Sequence, residues 1–222
     1  MINYYPPLEP GLYYHIYNRG NNRENIFIKA DNYDHFLKKY TLYMPRVLDT
    51  LVYNLLPNHF HLVVRIKTKA EIVPAPVGVQ GVIDFPSLRD LESLAVGDIV
   101  SELFRRFFMA YAKGINRQED RTGSLFQKNF KRRLIQSDGH FTNLIYYVHT
   151  NARLHGICSD FREWPYSSYY SILSEGTTKL QRTEVLAWFC SKAAFEQQHQ
   201  QYLDGKDIDD FMIEDWIHTY QL

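Results

Sequence analysis

The stretch that most constrains the fold is Leu55-Leu56-Pro57-Asn58-His59-Phe60-His61-Leu62-Val63-Val64-Arg65-Ile66-Lys67. After the Pro57-Asn58 turn signal the residues alternate with a period of two. Successive side chains of a strand point to opposite faces of a sheet, so one face takes Phe60, Leu62, Val64 and Ile66 and the other takes His59, His61, Val63, Arg65 and Lys67. Two imidazoles on one face stand close enough to share a divalent metal, and the cations beyond them favour an anion there. A half-exposed strand whose solvent face happens to hold two histidines gives the same pattern. Only matching chemistry elsewhere in the chain separates the two.

Tyr13 to Asn18 is aromatic and β-branched and reads as a first strand, broken by the Arg19-Gly20-Asn21-Asn22-Arg23 loop. Asp31 is the expected N-cap of a helix carrying Tyr33, Phe36, Leu37, Tyr40 and Tyr43 at helical spacing and ending near Pro45. A strand over 48–56 joins the strand over 59–67 as a hairpin. From 68 to 97 periodicity fails among prolines and glycines, which predicts a mobile insertion. A helix then runs from Asp98 or Ser101 to about Asn116 on a stripe of Leu103, Phe107, Ala110, Tyr111 and Ile115, and a strand follows over 125–135. The order strand, helix, strand, strand, helix, strand predicts an α+β fold: a ferredoxin-like antiparallel sheet, βαββαβ, with two helices on one face.

A third helix starts at Ser137 or Asp138 and stops at Gly156, with Phe141, Leu144, Ile145, Val148 and Ala152 as its core stripe. At ~100° per residue, Tyr147 and Asn151 share one shoulder of that stripe, and Tyr146 projects to the far side. Two further helices, over 183–190 and 191–204, make 157–222 a helical appendage with an acidic end, beside a domain over 1–156.

The net charge of zero hides an asymmetry. Between Ser101 and Arg133 nine basic residues face three acidic ones, and from Glu196 to Leu222 seven acidic residues face one lysine. The basic run suits a phosphate backbone; two solvated faces of opposite sign would read alike. No apolar run approaches the roughly 18 residues of a membrane span, and the N-terminus is no signal peptide, so a cytoplasmic protein without a membrane partner is expected. Cys158 and Cys190 lack metal-ligand spacing and are expected to be buried hydrophobes.

Four stretches together resemble the REP-associated tyrosine transposases, small single-tyrosine insertion-sequence transposases of the HUH endonuclease superfamily. They are Tyr14-His15-Ile16-Tyr17-Asn18-Arg19-Gly20-Asn21, Leu56-Pro57-Asn58-His59-Phe60-His61-Leu62, Gly123-Ser124-Leu125-Phe126-Gln127 and Tyr147-Val148-His149-Thr150-Asn151. Trp164-Pro165-Tyr166-Ser167-Ser168-Tyr169 matches the segment that follows in longer members. The resemblance implies a catalytic third helix with Tyr147 as nucleophile, and His59, His61 and Asn151 as metal ligands. Ala152 stands where the family often has proline. Asparagine is a weaker ligand than a carboxylate, so an exchangeable Mg²⁺ or Mn²⁺ fits better than a structural metal.

The implied activity is single-strand DNA cleavage and strand transfer through a 5′-phosphotyrosine, with a metal-bound water or His149 taking the phenolic proton unless His149 is a surface residue. The implied partner is single-stranded DNA carrying a hairpin. Candidate DNA contacts are Arg19, Arg65, Arg105, Lys128, Lys131, Arg132 and Arg133. A homodimer is compatible with the resemblance, and Tyr147 could then act in its own site or its partner's. The alternative is a domesticated module of the same fold that grips hairpins or single strands without cutting. A zinc hydrolase is a weaker rival, without a His-Glu-x-x-His helix to support it.

Overall fold

Strands β1 (Tyr13–Arg19), β2 (Leu48–Leu56), β3 (His59–Ile66) and β4 (Lys131–Leu134) form one antiparallel sheet in the computed structural model, which describes residues 5–75, 84–136 and 138–203. Their order is β2-β3-β1-β4, with α1 (Ala30–Tyr43) between β1 and β2. Helices α2 (Leu88–Ser93) and α3 (Val96–Gln118) separate β3 from β4. This is the expected ferredoxin-like arrangement. Helix α4 (Asp138–Leu154) follows, then α5 (Tyr169–Leu173), α6 (Arg182–Trp188) and α7 (Lys192–Leu203).

The sheet is covered on both faces, and the two faces of β3 enter different cores. Phe60, Leu62, Val64 and Ile66 pack with Tyr14 and Ile16 of β1 against Phe36 and Tyr40 of α1 and Leu103, Phe104, Phe107 and Tyr111 of α3. Val63 packs on the other face with Leu51 and Val52 of β2 and with Phe141, Leu144, Ile145, Tyr147 and Val148 of α4. A register shift between Thr50 and Val52 turns two successive residues of β2 to that second face, as a bulge does.

Several local expectations are corrected. Lys29, not Asp31, occupies the cap of α1, because the Asn32 side-chain oxygen accepts from the backbone of Ile28 and Lys29 at 3.0 and 2.9 Å. The insertion carries helix α2, whose cap Ser87 accepts from the Asp90 backbone N–H, and α3 begins at Val96; residues 76–83 lie outside the described ones. Strand β4 is four residues long, since Asn129 at φ 64° interrupts the extended run and Phe126 makes only an isolated bridge to Gly20. Cys158 is half-buried and Cys190 exposed. The acidic end over 204–222 lies outside the described residues.

Residues 164–168 run along β2 and close that edge of the sheet. Leu55 N–H donates to the Tyr166 carbonyl at 3.0 Å, Ser168 N–H to the Tyr53 carbonyl at 2.9 Å, and Trp164 Nε1 to the Leu55 carbonyl at 2.9 Å. An uncovered edge would otherwise template pairing with another chain. Tyr169, Ile172, Val185, Phe189 and Phe195 join the second core, so α4 is covered by the sheet on one side and by these residues on the other.

In the loop after β1, Asn22 and Arg23 take positive φ, while Gly20 serves a different need. Its backbone is extended, and a Cβ there would meet the Glu24 carbonyl oxygen at 1.9 Å. Gly20→Ala is expected to cost about 2 kcal/mol by overpacking, read as a lower midpoint in urea. An unchanged midpoint would mean that the loop yields freely.

Candidate active site

Pairing across the sheet gathers the histidines. In the β1–β3 ladder Arg19 faces His59, Tyr17 faces His61 and His15 faces Val63, and paired residues share a face. His15, Tyr17, His59 and His61 therefore lie together on the face that α4 covers. Asn54 of β2, opposite His61, donates its amide N–H to the Val148 carbonyl at 2.7 Å and to the His149 carbonyl at 3.3 Å, tying the middle of α4 to the sheet.

Tyr147, Asn151 and His155 follow one another at four-residue spacing along α4 and beyond its end, and all three meet the histidines. Asn151 Oδ1 lies 3.1 Å from His59 Nε2, and the His155 ring sits edge-on to His59 at 5.0 Å. The Tyr147 ring is edge-on to His61 at 5.7 Å and to His15 at 6.3 Å. The His59 and His61 rings are themselves 5.1 Å apart.

Burial first, then His155 and Arg19 nearby, hold His59 down to about 3, with the Asn151 contact opposing. Burial likewise keeps His61 well below its usual range, helped by His15, His59 and His155. Both rings are neutral at neutral pH and carry one proton each. His59 Nδ1 lies 2.6 Å from Asn58 Oδ1, an oxygen that can only accept, so the proton sits on Nδ1. Its Nε2 lone pair then points at another acceptor, Asn151 Oδ1, while Asn151 Nδ2 is buried with no hydrogen-bond partner. A divalent ion beside His59 Nε2 and Asn151 Oδ1 would take a lone pair from each, so this donor set fits one. Among the described residues no group of three or more His, Cys, Asp or Glu side chains is arranged to hold a metal, so an ion here would have two imidazoles and the Asn151 amide. Without a carboxylate, the ion would be held weakly.

Among solved structures, a REP-associated tyrosine transposase bound to a REP hairpin superimposes with a TM-score of 0.53, over 80% of this chain and 88% of that one, at 16% identity. The chain has the fold of a REP-associated tyrosine transposase. A Haemophilus influenzae protein named as a REP-associated tyrosine transposase is 34% identical over 55 residues, which are 25% of this chain and 31% of that relative. No family model matches the chain. The family resemblance read from the motifs is borne out by these two likenesses.

On this transposase fold the seven candidate DNA-contacting cations divide. Lys131 and Arg133 pair with Tyr17 and His15, placing them with Arg19 on the histidine face. Burial, with the charges of Arg19 and Arg133, lowers the Lys131 pKa. Arg132 turns to the opposite face, where its Nε donates to the Pro6 carbonyl at 2.6 Å. There it lines a groove of about 1060 Å³ with Arg105, Lys113, Lys128, Phe108 and Phe126, and among the described residues no carboxylate is part of the lining. Arg105 is held by Glu102 at 2.6 Å. Arg65 is held by Asp49 and Glu71, and six residues of strand put it roughly 20 Å from His59.

The outer side of α4 corrects the reading of His149. Fully buried, it is neither a surface residue nor directed at the site. Its Nε2 lies 2.9 Å from Ser168 Oγ and its Nδ1 3.0 Å from His199 Nε2. Tyr146 faces the same way, its ring 5.6 Å from His199. Sequence reasoning gave no role to His15, Asn54, Asn58 or His155. The spacing of His155 from Asn151 was a usable signal; the partners of His61 and α4 required the register.

Proposed function

We propose that this chain is a metal-dependent single-strand DNA endonuclease and strand transferase with Tyr147 as nucleophile. The observation that carries the reading is the convergence of Tyr147 and Asn151, one helical turn apart on α4, onto the His59–His61 pair of β3. His59 Nε2, His61 Nε2 and Asn151 Oδ1 would hold Mg²⁺ or Mn²⁺, which when bound neutralises charge developing on the scissile phosphate.

Tyr147 attacks phosphorus in line. The Tyr147 Oη–P bond forms, the P–O3′ bond breaks, and the 3′ oxygen leaves with the proton that the phenol gives up. The 5′-phosphotyrosine keeps the phosphodiester energy, so another 3′-hydroxyl can reverse the attack and join strands without ATP. Neutral imidazoles suit this chemistry because they leave their lone pairs to the ion. Arg19, Lys131 and Arg133 would draw the strand to the histidine face, and the groove cations Arg105, Lys128 and Arg132 would hold flanking phosphates. A single strand with a hairpin is the proposed substrate, by likeness to a neighbour bound to a REP hairpin.

Incubation with a hairpin-bearing single-stranded oligonucleotide and Mn²⁺ is expected to give a covalent protein–DNA adduct that survives denaturing electrophoresis. A second reading, a module that binds without cutting, is favoured by burial: Tyr147 is 4% exposed, His59 3% and His61 0%. Salt-sensitive binding with no adduct under any divalent ion would establish it instead. For binding itself, Lys131→Ala should weaken affinity and reduce the salt slope by about 0.7, as loss of one single-strand phosphate contact does, while Arg65→Ala leaves both unchanged. Equal effects of the two variants would refute this placement of the strand.

A further inference from the structure

His61 is held from behind by another histidine. His15 Nε2 lies 2.8 Å from His61 Nδ1, with both side chains buried, the ring centroids 5.1 Å apart and the ring planes within 22° of each other. A hydrogen bond between two neutral imidazoles carries a single proton, so its direction fixes both tautomers. If His61 Nδ1–H donates to His15 Nε2, then His61 Nε2 presents a lone pair to the site. If His15 donates, His61 carries its proton on Nε2 and turns an N–H toward the ion's place.

We propose that His15 is a positioning residue that accepts the Nδ1 proton of His61 and thereby keeps His61 Nε2 ready to bind a divalent cation. The inference rests on the reading of His61 as a ligand. Asn58 does the same for His59, where an amide oxygen can only accept. Both imidazoles of the pair are thus backed at Nδ1, one by a fixed acceptor and one by a ring that could donate or accept. A ligating histidine whose second nitrogen is anchored keeps its orientation and tautomer, and loss of such an anchor typically lowers metal affinity 10- to 100-fold. The neighbours support the placement. Tyr17 stacks on His15 at 4.9 Å and Tyr147 meets it edge-on, so the His15 ring has little room to turn away from His61.

The test uses the full chain with ¹⁵N-labelled histidines. Long-range ¹H–¹⁵N correlation spectra of the metal-free protein are expected to show His61 protonated at Nδ1, and Mn²⁺ titration followed by paramagnetic relaxation should give its affinity. His15→Leu should weaken Mn²⁺ on the order of 10- to 100-fold. His15→Gln, whose amide oxygen can accept the same proton, should recover most of that loss.

A His61 proton on Nε2 in the wild-type protein would overturn the proposal, as would a folded His15→Leu variant binding Mn²⁺ as tightly as the wild type. Should His15→Leu fail to fold, the wild-type spectrum and His15→Gln still decide. An Nδ1–H tautomer together with no Mn²⁺ binding by the wild type would sink the ligand reading of His61 and with it the role of His15, whereas tight binding with the wrong tautomer would sink the role of His15 alone.

Discussion

Tyr147→Phe is expected to abolish the covalent DNA adduct while leaving DNA affinity and the melting transition close to those of the wild type. The ring would remain to pack against His15 and His61, and only the attacking oxygen would be gone. Two tyrosines serve as controls. Tyr146 is adjacent in sequence but faces His199 on the other side of α4, so Tyr146→Phe should form adduct normally. Tyr17 is the sharper comparison, because it also touches both histidines, stacking on His15 at 4.9 Å and His61 at 5.9 Å. Burial pushes its hydroxyl up to about 12, a poor starting point for attack as a phenolate. An adduct that persists in Tyr147→Phe and vanishes in Tyr17→Phe would move the nucleophile from the helix to the sheet.

Acid should loosen the junction between α4 and α7. His199 Nδ1 donates to the Phe195 carbonyl at 2.8 Å, which leaves its Nε2 to accept from His149 Nδ1–H. Burial lowers His199 from 6.5 to about 4, with the Phe195 contact opposing, and lowers His149 in the same direction. The sign follows from linkage. Below about pH 6.5 the unfolded chain takes up protons that the folded one refuses, so stability falls as pH drops from 6.5 to about 4. For His199 alone the shift corresponds to about 3 kcal/mol. Urea titrations at pH 7 and pH 4.5 measure it. His199→Gln can still donate to Phe195 and accept from His149, so it should shrink the acid loss by about 3 kcal/mol, the remainder coming from His59, His61 and His149; identical profiles for the variant and the wild type would locate the acid sensitivity elsewhere.

The sheet was legible because each β3 face meets a different core, and a strand between unlike surfaces keeps its alternation. The same alternation misleads about exposure. The face that carries His59 and His61 looks like a solvent face, yet α4 buries it, and the polar groups persist there because they bond to one another. Helix α4 was legible on its inner stripe, where Phe141, Leu144, Ile145, Val148 and Ala152 are all buried. Its outer side was not. His149 reads as either a proton acceptor for the phenol or a surface residue, but it bonds to Ser168 and His199, and the neighbouring Thr150 Oγ1 donates to the Tyr146 carbonyl at 2.9 Å. In β4 the cationic run suggested a long strand, and a single positive φ at Asn129 was enough to shorten it. Helix and strand periods set Tyr147 beside Asn151 and His59 beside His61, while the meeting of the two pairs was legible only through the family resemblance. The outer partners, Asn58, His15 and Asn54, depend on a turn and on cross-strand register, which one chain's spacing does not encode.

Helix α4 is roofed by its own C-terminal neighbours: Trp188 stacks on Phe141 at 3.9 Å, and Phe195 and Tyr169 close over His149. Truncation after Gly156 would strip that roof and leave Phe141, Tyr146 and the His149 imidazole facing water on the helix that bears Tyr147. Removal of everything beyond Gly156 would therefore expose the inner helix to water rather than release a smaller stable domain, so the C-terminal segment acts as part of the fold.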